Sequence, residues 1–67
     1  MLLTAVLMPA AEGGFIALNP ETGTTSQGES VSEAVENLRE ATALYLEEFP
    51  TKSAGQPFVT TFEVTDA

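Results

Sequence analysis

Apolar and polar positions follow two different patterns along the chain, and the change from one to the other separates predicted strands from a predicted helix. Short apolar or threonine-rich blocks at Leu2–Met8, Phe15–Leu18 and Thr24–Gln27 are separated by turns that contain glycine or proline. Branched and aromatic residues in short blocks are typical of β-strands, and the glycines favour tight turns. We therefore predict three strands, of which the first two form a hairpin.

The next segment has helical periodicity. Ser30 and Glu33 have the spacing of a capping box, and Pro50 ends the pattern, so we predict a helix from Val31 to Phe49. At about 100° per residue, one face of this helix is apolar and faces the core. That face contains Val31, Ala34, Val35, Leu38, Ala41, Thr42, Tyr45 and Phe49.

A polar connector over Thr51–Pro57 leads to a last block, Phe58–Val64, in which branched and aromatic residues alternate with polar ones. This block predicts a fourth strand. A helix between the third and fourth strands can carry the chain across the sheet, so we expect the last strand beside the first and parallel to it. The prediction is a single domain over residues 1–67, an α+β fold of two layers. One helix packs on a four-stranded mixed sheet in the order β-β-β-α-β.

The predicted strands are apolar on both faces, although a single helix covers only one face of a sheet. In the first strand, Val6 and Met8 point one way and Ala5 and Leu7 the other. We expect another chain, either a second copy or a different protein, to cover the second face. The alternative is that this face is an ordinary apolar surface. The first reading predicts a homo-oligomer, a dimer or a tetramer.

Charge and composition narrow the function. The 67 residues contain ten acidic and two basic side chains, for a net charge of -8, and no histidine or cysteine. This charge disfavours direct nucleic-acid binding and favours a basic protein partner, although acidity also simply promotes solubility. Without histidine or cysteine we expect no enzyme, no catalytic residue, no cofactor and no metal site. The apolar N-terminal block is too short to span a bilayer and is better explained as a strand, so we expect a cytoplasmic protein.

The candidate partner-binding residues lie mainly on the helix face opposite the predicted core. Glu33, Glu40, Leu44 and Glu47 share this face, and Leu44 is an apolar side chain among carboxylates. Glu29 and Glu12, near the ends of strands, are further candidates. The functional interpretation is electrostatic docking of a basic partner around an apolar anchor. The alternative is an ordinary solvated helix face.

A series of motifs in a fixed order resembles the HicB antitoxin family over most of the chain. The matching residues are Phe15–Leu18 followed by Asn19-Pro20-Glu21, then Gly23, then Thr25–Glu29, then Glu33-Ala34-Val35-Glu36-Asn37 on the helix, and Tyr45-Leu46-Glu47-Glu48 near its end. The resemblance implies a degenerate ribonuclease-H-like half fold and a non-catalytic role. It provides no matched positions for specific toxin contacts.

The family resemblance also implies a partner. HicB proteins bind a small basic toxin, HicA, which is an mRNA-cleaving ribonuclease, and they cover its catalytic surface. We therefore expect an antitoxin of a type II toxin–antitoxin system that neutralises a HicA-type toxin, in a short form without the C-terminal DNA-binding domain that many members carry. One alternative is a stand-alone oligomeric domain that binds a ligand or protein and has no toxin partner. Another is a residual nuclease that uses carboxylates and Mg²⁺.

Overall fold

Three strands and one helix follow one another in the computed structural model, which describes residues 1–52 and 54–65. The elements are β1 (Val6–Pro9), β2 (Phe15–Leu18), β3 (Thr25–Gly28) and α1 (Val31–Glu48). This α+β architecture confirms the first three predicted strands and the helix. The bounds of β2 are those predicted, whereas β1 begins later than expected and β3 is shifted by one residue.

The sheet is antiparallel throughout, with β2 between β1 and β3. Leu7 pairs with Ala17, and Ala17 pairs with Ser26, so these three side chains share one face. The β1–β2 turn includes Gly13 and Gly14, at φ +103° and +76°, a region that L-residues rarely adopt. Glycines at these positions therefore allow the tight hairpin that sets the register.

Local hydrogen bonds explain where α1 begins and ends. Ser30, at φ -132° and ψ 165°, is the N-cap, and its Oγ accepts from the Glu33 N–H at 3.1 Å. The Glu33 carboxylate in turn accepts from the Glu29 N–H at 2.8 Å, so the capping-box residues both satisfy backbone donors. At the other end, the Phe49 N–H donates to the Tyr45 carbonyl at 2.8 Å, and Pro50 follows.

A small core lies between α1 and the sheet. Its buried members are Ala17, Ala34 and Leu38, with Leu7 and Phe15 packed against them. Val31 and Phe49, predicted for the same helix face, are 47% and 59% exposed because they lie at the two ends of the contact. The core is therefore small even for a chain of this length.

The direction of α1 follows from its contacts with the strands. Its first turn lies against Gly28 at the end of β3, where a Cβ built on the glycine would come 2.5 Å from the Ala34 nitrogen. Near its C-terminal end, the Thr42 hydroxyl is 2.7 Å from that of Thr24, just before β3 begins. Thus α1 runs antiparallel to β3 and returns the chain to the end of the sheet where β1 starts.

The predicted fourth strand is the main difference between expectation and structure. Residues 58–64 form neither helix nor strand, and the sheet described has three antiparallel strands rather than four mixed ones. Phe58 is fully exposed and Phe62 is 85% exposed. An alternating pattern alone does not make a strand, since its backbone groups also need a neighbour to pair with. Within the described part of the chain, no helix has the length and apolar character needed to cross a bilayer.

Candidate functional site

The acidic helix face, defined as Glu33, Glu40, Leu44 and Glu47, forms an exposed stripe along α1. The intervals of seven, four and three residues place these side chains above one another on one side of a helix. Leu44 is 65% exposed between the carboxylates. The structure therefore brings together the four helix residues that were predicted to face a partner.

Few positive charges oppose this face. Arg39 pairs with Glu36 at 3.5 Å, and both side chains are largely exposed, so the pair contributes little stability. Within the described residues, Glu40 and Glu47 take part in no ion pair or side-chain hydrogen bond. Their carboxylates remain available to an external cation.

Glu33 differs from its neighbours because it has a structural role. Its carboxylate accepts from the Glu29 N–H at the start of α1. The charge also lies in the first turn, where it interacts favourably with the helix dipole. A substitution of Glu33 would therefore change helix stability together with any partner contact.

Glu12 and Glu29 lie at the hairpin end of the sheet rather than on the stripe. Together with Glu33 they line an open pocket of about 580 Å³ beside the β1–β2 turn. A Cβ built on Gly14 would lie 3.4 Å from a Glu29 carboxylate oxygen, which shows how closely the hairpin turn approaches this residue. The six candidate residues thus form two connected groups that meet at Glu33. Among the described residues no acidic group has an arrangement that could hold a metal ion.

The sheet face opposite α1, called here the reverse face, is apolar over β1 and β2. Its apolar members are Val6, Met8, Ile16 and Leu18, and β3 adds Thr25 and Gln27. Met8 is 46% exposed, and the other three apolar side chains are half-buried. Among the described residues, no helix and no further strand packs on this face.

A hydrogen-bond network that sequence reasoning missed lies at the other end of the sheet. Asn19 is only 1% exposed, and its Nδ2 donates to the Thr4 carbonyl at 2.8 Å and to Glu21 Oε1 at 2.6 Å. Its Oδ1 accepts from the N–H and the hydroxyl of Thr22. The network ties the second turn to the segment before β1. The Asn-Pro-Glu-Thr-Gly sequence predicted a turn but not these distant contacts.

Glu21 completes this network and has a perturbed pKa. Partial desolvation raises the pKa of its carboxyl, but the hydrogen bonds it accepts from the N–H and hydroxyl of Thr4 and from Asn19 outweigh that effect. The net result is a pKa below the ordinary value. Glu21 is therefore a charged structural residue at this end of the fold.

Asn37 is half-buried and connects the helix to the sheet. Its Nδ2 donates to the Gln27 carbonyl at 2.8 Å and so fastens α1 to β3. The helical wheel puts Asn37 beside the acidic face, but its side chain is long enough to reach the edge of the sheet. The position of this asparagine in the Glu33-Ala34-Val35-Glu36-Asn37 motif was the signal that could have indicated a structural role.

Comparison with known proteins gives no relative for this arrangement. No protein family matches the chain, and no curated protein or solved structure matches it either. The HicB resemblance therefore remains a prediction that depends on its motifs.

Proposed function

We propose that this chain is a HicB-like antitoxin that captures a small basic mRNA-cleaving toxin of the HicA type. The observation that supports the proposal is the acidic helix face, on which Glu40 and Glu47 are exposed around the apolar Leu44 and form no ion pair with any described residue. A net charge of -8 attracts a basic protein at long range and repels the RNA that such a toxin cleaves.

In the proposed complex, the carboxylates and the leucine have different roles. Glu40 and Glu47 face lysine and arginine side chains of the toxin and increase the association rate. Leu44, at the centre of the stripe, packs into an apolar depression and slows dissociation. Glu29 and Glu12 extend the negative surface toward the hairpin end. Binding of this kind covers the RNA-binding surface of the toxin without any chemistry by the antitoxin, so the protein needs no cofactor and is not an enzyme.

The proposal includes a more complete fold than the three-stranded sheet. Residues 58–64 add to β1 as a parallel fourth strand, which gives the ribonuclease-H-like half fold that the resemblance implies. The reverse face is covered in a homo-oligomer, because exposed apolar side chains on a sheet favour association. The proposed compartment is the cytoplasm.

Capture of a purified HicA-type toxin, measured by calorimetry over a series of salt concentrations, tests the proposal. The variant Glu40→Gln/Glu47→Gln removes two negative charges from the acidic helix face. A matched control, Ala54→Lys/Gln56→Lys, changes the net charge by the same amount in the exposed connector. We expect the glutamine variant to bind about tenfold more weakly at low salt, with the difference decreasing as salt is added, and the control to bind much like the wild type.

Two results would contradict the proposal. If both variants bind like the wild type at every salt concentration, the acidic helix face is not the contact surface. If the wild type does not bind or inhibit the toxin but still self-associates, the alternative of an oligomeric ligand-binding or protein-binding domain is favoured.

A further inference from the structure

A largely apolar groove lies between α1 and the segment that leads directly into β1. Residues 1–5 form one wall, and α1 forms the other through Val35, Leu38 and Leu46, around an open volume of about 400 Å³. Because the strand order is β1-β2-β3, β1 is an edge strand of the described sheet. An edge strand that continues from one wall of an apolar groove can accept one more strand, through backbone hydrogen bonds and buried side chains together.

The segment 58–64 has the complementary properties. In an extended conformation, Phe58, Phe62 and Val64 point to one side, and all three are at least 64% exposed in the structure. None of the residues of this segment lines the groove. The chain therefore contains an apolar strand sequence without a partner and an apolar groove without an occupant.

The position of the connector determines where the segment starts. Residues 51–52 and 54–57 line an open pocket together with Pro20 and Glu21 of the second turn. Glu21 accepts from the N–H of Thr4 at 3.1 Å, so this turn is at the end of the sheet where β1 begins. A strand that continues from here along an edge of β1 runs parallel to β1.

We propose that the groove is occupied by segment 58–64 of a second copy, so that two chains exchange their last strands reciprocally. This inference rests on the fourth strand proposed above and specifies which chain donates it. The chain is extended: its radius of gyration is 13.4 Å, against about 11 Å for a compact chain of this length. Residues 58–64 are all exposed and none of them lines the groove of its own chain, so the segment is accessible to another molecule.

Charge and area both favour a second copy as the occupant. The chain carries a net charge of -8, yet residues 1–11 contain no charged side chain and segment 58–64 contains only Glu63. Two copies therefore meet at the surfaces where their mutual repulsion is smallest. Two docked segments, each with two phenylalanines, would bury on the order of 2,000 Å² in total, which is the size of a stable interface.

Cross-linking of single-cysteine variants tests the exchange, because the native chain has no cysteine. Ala5→Cys, in the groove wall, and Thr60→Cys, in the segment, are both at exposed positions. Equal amounts of the two variants are mixed, unfolded and refolded together, and treated with a short bismaleimide. Leu44→Cys mixed with Thr60→Cys is the control, because Leu44 lies on the outer side of α1. Far-UV circular dichroism verifies that each variant is folded.

We expect covalent dimers that contain one chain of each kind, at least tenfold more abundant than in the control mixture. The double variant Ala5→Cys/Thr60→Cys, treated at the same concentration, should also give covalent dimers. If it gives cross-linked monomers instead, each chain fills its own groove and the exchange is wrong, although the fourth strand is retained. If neither experiment gives a specific cross-link, both the exchange and the fourth strand are wrong, whatever the result of the toxin-binding test.

Discussion

Replacing Gly28 by alanine tests whether α1 packs as closely on β3 as the structure indicates. A Cβ at this position would lie 2.5 Å from the Ala34 nitrogen, 2.9 Å from the Glu33 carbonyl carbon and 3.0 Å from the Ala34 Cα. All three are backbone atoms, so no side-chain rotation relieves the overlap. The helix must move away from the strand, and the core beneath it loosens.

Two opposing effects determine how much Gly28→Ala changes the free energy of unfolding. The backbone of Gly28 is outside the left-handed region, so alanine is conformationally acceptable there and would stabilise the protein by about 0.4–1 kcal/mol through the unfolded state. Forcing a methyl group into a filled space costs about 1–3 kcal/mol, and the upper part of that range applies to backbone overlap. We expect Gly28→Ala to lower the free energy of unfolding by about 2 kcal/mol, a large part of the stability of a small domain.

Urea denaturation followed by circular dichroism measures this change. Gly23→Ala is the control, because Gly23 has φ +80° but no atom within 4 Å of an added Cβ. The Gly23→Ala variant should lose only about 1–2 kcal/mol of unfolding free energy, the cost of placing an L-residue in the left-handed region, and its helix should remain in place. An alanine at position 28 that left stability unchanged or increased it would refute the close packing, because the unfolded-state effect alone has that sign.

Two further predictions concern polar contacts that connect distant parts of the chain. Because the pKa of Glu21 is lowered in the folded state, its ionised form stabilises the fold at a pH above the ordinary value of 4.5, and this contribution is lost as the pH falls through the folded-state pKa. The wild type should therefore be more stable than Glu21→Gln at neutral pH, and urea denaturation should show the two converging in acid; a constant difference would contradict this linkage. Asn37→Ala removes the donor to the Gln27 carbonyl and should cost about 0.5–1.5 kcal/mol in the same assay. Asn37→Asp, which keeps the size but lacks the donor, should cost at least as much, and a neutral result for both variants would show that this hydrogen bond is dispensable.

Elements whose signals are local in the sequence lie where they were predicted. The β2 strand and the start of α1 lie where the sequence predicts them, because the signals involved are local. A capping box needs Ser30 and Glu33 and the backbone between them, and a turn needs its own glycines. The inward stripe of Ala34, Leu38 and Thr42 also follows from helical geometry, since side chains at these intervals share a face in any helix.

The sequence pattern also identified the acidic helix face, because the same helical geometry that collects the core residues collects Glu40, Leu44 and Glu47 on the other side. It did not identify the structural use of Glu33, which depends on how the chain enters the helix at Glu29. Nor did it distinguish Asn37 from the exposed carboxylates. A helical wheel shows the direction in which a side chain leaves the helix, but not whether it is long enough to bond to a neighbouring strand.

The sequence by itself determined the order of the first three strands and the helix, the positions of the turns between the strands, and the polarity of each helix face. Only the tertiary structure decided that Asn19 and Glu21 fasten a turn to Thr4, that Gly28 lets the helix touch the strand, and that residues 58–64 stay unpaired in a single chain. The physical reason is the separation in sequence between the groups that interact. Caps, turns and amphipathic faces depend on neighbours within a few positions, whereas strand pairing and buried polar networks depend on groups far apart in sequence, whose meeting depends on how the whole chain packs.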